Sequence, residues 1–123
     1  MFRSDRKRVL YVDDDLDSYE LMQHYLTAVD LIHAKTVGDG LRLARSGRFA
    51  VYLFDIRLAD GTGIELCQQI RSFDRRTPVL FLSADARDSI RQQALEAGGQ
   101  WFFTKPLNFD SLTDMIQRLT STL

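Results

Sequence analysis

At 123 residues the chain is sized for one domain, residues 1–123, and leaves no room for a second of ordinary size. An apolar share of 45% marks an ordinary globular composition, a net charge of −1 removes any general electrostatic pull toward nucleic acid, and the single cysteine, Cys67, excludes an internal disulfide or a cysteine metal cluster. No apolar run approaches the ~18 residues of a membrane span. Residues Met1 to Arg8 lack the apolar core of a signal peptide, so a cytoplasmic protein with no membrane partner is expected.

Val9-Leu10-Tyr11-Val12 is a continuous apolar run rich in strand formers, which suits a strand buried on both faces of a parallel sheet. Tyr19, Met22, Leu26 and Val29 then recur with helical spacing. Leu31 to Ala34 gives a weaker second strand, and Leu41 and Ala44 mark a short helix ended near Gly47. Ala50 to Phe54 is a third strand. Ile64, Cys67 and Ile70 predict a helix to about Phe73. Val79 to Leu82, opened by Pro78, is the fourth strand. Ile90, Ala94 and Ala97 form a helical stripe that Gly98-Gly99 stops. Gln100 to Phe103 is the fifth strand. Leu112, Ile116 and Leu119 make a last helix with Asn108 as its N-cap.

The order is βα repeated five times. Alternating βα units force parallel strands joined by right-handed crossovers, hence helices on both faces. The expected fold is therefore α/β, a doubly wound (βα)5, flavodoxin-like arrangement with a five-stranded parallel sheet in the order 2-1-3-4-5. In such sheets, sites form beyond the carboxyl ends of the strands.

Chemistry gathers at those ends. The first strand runs into Asp13-Asp14-Asp15, the third into Asp55, the fourth into Ser83-Ala84 and the fifth into Thr104-Lys105-Pro106. Clustered carboxylates repel one another and call for a cation. Mg²⁺ prefers oxygen ligands, takes one or two carboxylates and keeps several waters. An aspartate can also act as a nucleophile and carry a phosphoryl group. Lys105, the Ser83 hydroxyl and the backbone N–H of Ala84 would then face the charged phosphoryl oxygens.

Val12-Asp13-Asp14-Asp15, Leu53-Phe54-Asp55-Ile56-Arg57-Leu58, Leu82-Ser83-Ala84 and Thr104-Lys105-Pro106 resemble the four signatures of response-regulator receiver domains, in order and over nearly the whole chain. The resemblance implies that Asp55 is the phosphorylated residue. It implies a Mg²⁺ cofactor held by Asp14, by Asp13 directly or through water, by Asp55 and by the backbone carbonyl of Arg57. Ser83 is similar to the family's switch hydroxyl, Lys105 to its phosphate-pairing lysine and Phe102 to its switch aromatic. The Lys105–Pro106 bond is often cis in that family. Arg57 and Asp85 lie where relatives tune the lifetime of the acyl phosphate, and their opposite charges suggest a pair across the site mouth. The implied partners are a histidine kinase or a histidine phosphotransfer protein upstream and a downstream protein or output domain. A phosphorylation-dependent dimer is also implied, and no direct contact of this domain with nucleic acid.

Three departures stand out, of which the first, Ser83 in place of the commoner threonine, keeps the hydroxyl. Ala59 replaces the proline common four residues after the aspartate, which predicts a looser loop over Asp60-Gly61-Thr62-Gly63. Phe102 lacks the hydroxyl of a tyrosine and can switch by packing alone. Asp15 or Asp17 is expected to cap the first helix, and Cys67 to be buried packing. His24 reads as a helix-surface residue and His33 as a strand residue, neither with a metal-ligand companion. Arg6-Lys7-Arg8 reads as a solvated entry to the first strand, and Trp101 as half-buried. The readings carried beside a signalling switch are a degenerate receiver that binds partners without phosphorylation and a phosphatase of the haloacid-dehalogenase kind. The second wants an aspartate where this chain has Arg57. A flavodoxin would want a glycine-rich phosphate loop in place of Asp13-Asp14-Asp15.

Overall fold

A computed structural model describes residues 6–121. The central sheet contains β1 (Arg8–Val12), β2 (Asp30–Ala34), β3 (Val51–Asp55), β6 (Val79–Ser83) and β7 (Trp101–Thr104). A two-stranded ladder of β4 (Arg57–Leu58) and β5 (Gly61–Thr62) sits between β3 and the third helix. The helices are α1 (Leu16–Tyr25), α2 (Val37–Ser46), α3 (Gly63–Ile70), α4 (Asp88–Glu96) and α5 (Phe109–Thr120).

All pairings in the main sheet are parallel, and the order is β2-β1-β3-β6-β7. This is the expected 2-1-3-4-5 order, the numbering shifted only by the short β4–β5 ladder. β3 and β6 are buried at every position, as the unbroken apolar runs require. Alternate side chains of one strand enter opposite cores. Leu10, Val12, Tyr52, Phe54, Val79 and Phe81 pack with α2, α3 and α4, whereas Val9, Tyr11, Val51, Leu53, Leu80 and Leu82 pack with α1 and α5. Full burial of each large apolar side chain stabilises by about 1.5–3 kcal/mol.

The element boundaries differ from expectation in instructive places. The first helix stops at Tyr25, yet Leu26 and Val29 stay buried because the chain turns back beneath the same core. The third helix stops at Ile70 rather than Phe73, because Asp74 accepts from the backbone N–H groups of Arg76 and Thr77 and turns the chain. The fifth strand runs one residue later than expected and so includes Thr104. Asn108 does cap α5, accepting from the Ser111 N–H, and Asp15 caps α1, accepting from the Asp17 N–H.

The loop after β3 is tied down rather than loose. The Asp60 carboxylate accepts from the backbone N–H groups of Val37 (2.7 Å) and Gly38 (3.2 Å) at the start of α2. Thr62 and Glu65 form a reciprocal capping box on α3. These bonds supply the constraint that a proline would otherwise give.

Candidate functional site

The polar residues at the strand ends meet because the parallel ladder continues one step beyond each strand. Val12 lies level with Phe54, and Asp55 level with Leu82. Just past the strands, Asp13 N–H donates to Ala34 C=O (3.0 Å), Ile56 N–H to Leu82 C=O (3.1 Å) and Lys105 N–H to Ser83 C=O (2.8 Å). The Lys105–Pro106 peptide is cis.

The Lys105 ammonium lies 2.9 Å from Asp55 Oδ2 and 3.9 Å from Asp13 Oδ2. Asp55, Arg57, Ser83, Ala84, Asp85, Ala86 and Lys105 line one open cleft of about 560 Å³. Asp55 is buried at its floor. Burial pushes its carboxyl above the ordinary aspartate range and Asp13 pushes it the same way, against the opposing hydrogen bond and charge of Lys105 and the Arg57 N–H. Ser83 is buried, and its hydroxyl oxygen accepts from the Asp85 N–H at 3.0 Å. Ala84 is exposed at the rim.

Gly63 is the reason α3 can start so close to Asp55. A Cβ at position 63 would lie 2.3 Å from the Asp55 carbonyl oxygen, and the Gly63 N–H donates to Ile56 C=O at 2.9 Å. Only a residue without a side chain fits there.

Asp14 is exposed, so of the three adjacent aspartates only Asp13 turns inward toward Asp55 and Lys105. Asp85 does not pair with Arg57. Its carboxylate is held by the Arg87 guanidinium at 2.7 Å, two residues along the same loop, and that bond holds it below the ordinary carboxylate range. Arg57 acts on Asp85 only by longer-range charge. Phe102 is half-buried against the α2–α3–α4 core, and the Arg91 guanidinium lies over its ring at 4.8 Å. Arg91 also donates to the Thr104 hydroxyl at 3.0 Å, tying α4 to β7. Cys67 is buried, as expected.

Three residues bearing on the site escaped sequence reasoning. The Tyr11 hydroxyl donates to Asp13 Oδ2 at 2.6 Å. Its position two residues before Asp13 on a strand puts both side chains on one face, a signal that alternation alone could have supplied. His33 bonds the Asp13 backbone carbonyl and stacks on Tyr19, but it comes from the neighbouring strand and leaves no local trace in the sequence. Arg91, on α4, reaches Thr104 across the loop between.

In its chemistry the site fits a hard divalent cation. Asp13 and Asp55 present carboxylate oxygens toward one charged point, marked here by Lys105, and one or two carboxylates with retained waters are what Mg²⁺ takes. Among the described residues no three His, Cys, Asp or Glu side chains form a closed cage.

Comparison with known proteins agrees with this geometry. The family described as the response regulator receiver domain matches residues 9–117. Response regulator protein PilR of Pseudomonas aeruginosa is 34% identical over 113 residues, covering 90% of this chain and 25% of that protein. Transcriptional regulatory protein YrkP of Bacillus subtilis is 35% identical over 107 residues, covering 85% of this chain and 46% of that protein. The chain thus spans between a quarter and a half of these two relatives. A response regulator receiver domain protein (CheY-like) from Methanospirillum hungatei superposes with a TM-score of 0.89 at 27% identity, covering 95% of each chain.

Proposed function

The chain belongs to the response regulator receiver domain family, and from that premise we propose that it is a phosphorylation-driven signalling switch with Asp55 as the phosphoryl acceptor. The observation that carries the reading is the buried Asp55 carboxylate, 2.9 Å from the Lys105 ammonium and open to a cleft that Ser83 also lines.

An Asp55 oxygen attacks the phosphorus of a phosphohistidine on a histidine kinase or phosphotransfer protein. The P–O bond forms as the P–N bond breaks, and the donor imidazole leaves with the electron pair. Lys105 pairs with one phosphoryl oxygen. Ser83 turns its hydroxyl toward a second, and the Ala84 N–H donates beside it. Mg²⁺, when bound, neutralises part of the phosphoryl charge, and Asp13, Asp14, Asp55 and the Arg57 carbonyl are the residues to hold it. Arg57 and Asp85, at the cleft mouth, bear on how readily water reaches the acyl phosphate.

The added charge of about −1.5 to −2 favours the state in which Ser83 and Lys105 have moved in. Phe102, next to Arg91, is the packing element that follows, and the face of α4, β7 and α5 changes with it. That face is the one to meet a downstream protein, an output domain or a second copy, in the cytoplasm. The domain promotes only its own phosphorylation and dephosphorylation.

Intact mass after incubation with acetyl phosphate tests this. The expected result is a gain of one phosphoryl group that requires Mg²⁺ and is lost in Asp55→Asn. No gain, together with failure of the stable mimic beryllofluoride to bind, would overturn the reading and leave a degenerate receiver that works without phosphorylation.

A further inference from the structure

Asp13 is held at both carboxylate oxygens and at its backbone carbonyl. Its side chain is 1% exposed, and each carboxylate oxygen has a partner. Oδ1 accepts from the Asp15 N–H at 3.0 Å. Oδ2 accepts from the Tyr11 hydroxyl at 2.6 Å and lies 3.9 Å from the Lys105 ammonium. The backbone carbonyl of the same residue bonds His33 Nε2 at 2.7 Å. A carbonyl can only accept, so this nitrogen carries the proton. The His33 ring is stacked at 4.2 Å and 8° on Tyr19 and at 5.8 Å on Tyr11.

We infer that Tyr11, supported by His33, is a positioning residue that fixes the Asp13 carboxylate in its cation-binding orientation before any cation arrives. An oxygen accepts two hydrogen bonds or ligands. With the Tyr11 hydroxyl on one lone pair of Asp13 Oδ2, the other is left toward the point where Lys105 now balances Asp13 and Asp55. His33 sets the backbone of the same residue, and Tyr19 and Tyr11 set the His33 ring. The inference rests on the proposed Mg²⁺ site and adds residues that orient a ligand rather than touch the ion.

The test is direct Mn²⁺ binding, followed by loss of the free-ion electron paramagnetic resonance signal, with wild type, Tyr11→Phe, His33→Phe and Asp13→Asn. Tyr11→Phe keeps the buried ring and removes one donor. Its Mn²⁺ Kd is expected to rise about tenfold, at the low end of losses from removing an outer-shell partner. His33→Phe keeps a stackable ring without the N–H and is expected to shift the Kd in the same direction by less. Enough Mg²⁺ to saturate the weakened site should restore full beryllofluoride binding to Tyr11→Phe, which a collapsed site would not allow.

If Tyr11→Phe and His33→Phe bind Mn²⁺ as wild type does while Asp13→Asn is weakened, the positioning role is overturned and the metal site stands. Wild type that takes up no Mn²⁺ overturns both. If Tyr11→Phe does not fold, His33→Phe alone decides, and an unchanged Kd there overturns the inference.

Discussion

Gly63 shows how a single residue type sets the reach of the site. Its backbone abuts the Asp55 carbonyl, and a methyl group there must displace either α3 or β3. Gly63→Ala is expected to destabilise by about 1–3 kcal/mol, as overpacking does, and to weaken phosphoryl acceptance beyond that loss. A urea melt beside the acetyl phosphate reaction separates the two effects. Asp55 itself was legible in the sequence because a carboxylate directly after a fully apolar run has few structural uses. Asp13 and Asp14 were both legible in type, but not which of them the fold buries. Adjacent residues leaving a strand point to different sides, so Asp13 is buried and Asp14 exposed, and three consecutive aspartates cannot announce which of them turns inward.

The strands were legible as elements because their apolar runs are continuous, and the helices because their stripes are regular. What the sequence hid lies between elements. The pair expected from Arg57 and Asp85 was argued from charge alone, and a nearer cation, Arg87, takes the carboxylate instead. The loop expected to loosen without its proline is held by Asp60, which reaches back 23 residues to the start of α2. At the β7 edge of the sheet, Arg91 joins α4 to β7 by stacking on Phe102 and bonding Thr104. Arg91→Ala is expected to destabilise the domain by about 1 kcal/mol, in the range of a partly exposed cation–π contact plus a lost hydrogen bond, and amide exchange should speed up in β7 more than in β1. Uniform exchange across the sheet would place Arg91 outside that connection.

Across the whole molecule the two ends of the sheet respond to acid in opposite ways. At the site, Asp55 has a raised pKa, so the folded chain holds its proton more firmly than the unfolded chain does. Its ionisation therefore opposes folding at neutral pH, and the penalty fades as pH falls through the raised value toward the ordinary one. Asp55→Asn is expected to be more stable than wild type near neutrality, with the difference in urea midpoint shrinking in acid. At the opposite end, Asp74 is partly buried, which raises its pKa, but hydrogen bonds from Thr77, the Arg76 N–H and the Tyr52 hydroxyl outweigh this and lower it. Its stabilising share is present above the ordinary carboxylate range and is lost as pH falls through the depressed value. Between the ends, burial pushes the Cys67 thiol up to about 11, so a thiol reagent at neutral pH should label it only after unfolding in guanidinium. The two flanks of the cleft are also unequally anchored. On one flank β3 is buried throughout, α3 carries five buried residues and a capping box, and Asp60 ties the connecting loop to α2. On the other, β7 is an edge strand with no fully buried position, and α4 buries only Ala94 and lacks a side-chain N-cap. A charge placed at Asp55 therefore acts between a fixed datum and a compliant member. On the proposed reading, displacement would flow to the compliant side, and a local event would be reported at distance while the core stays intact.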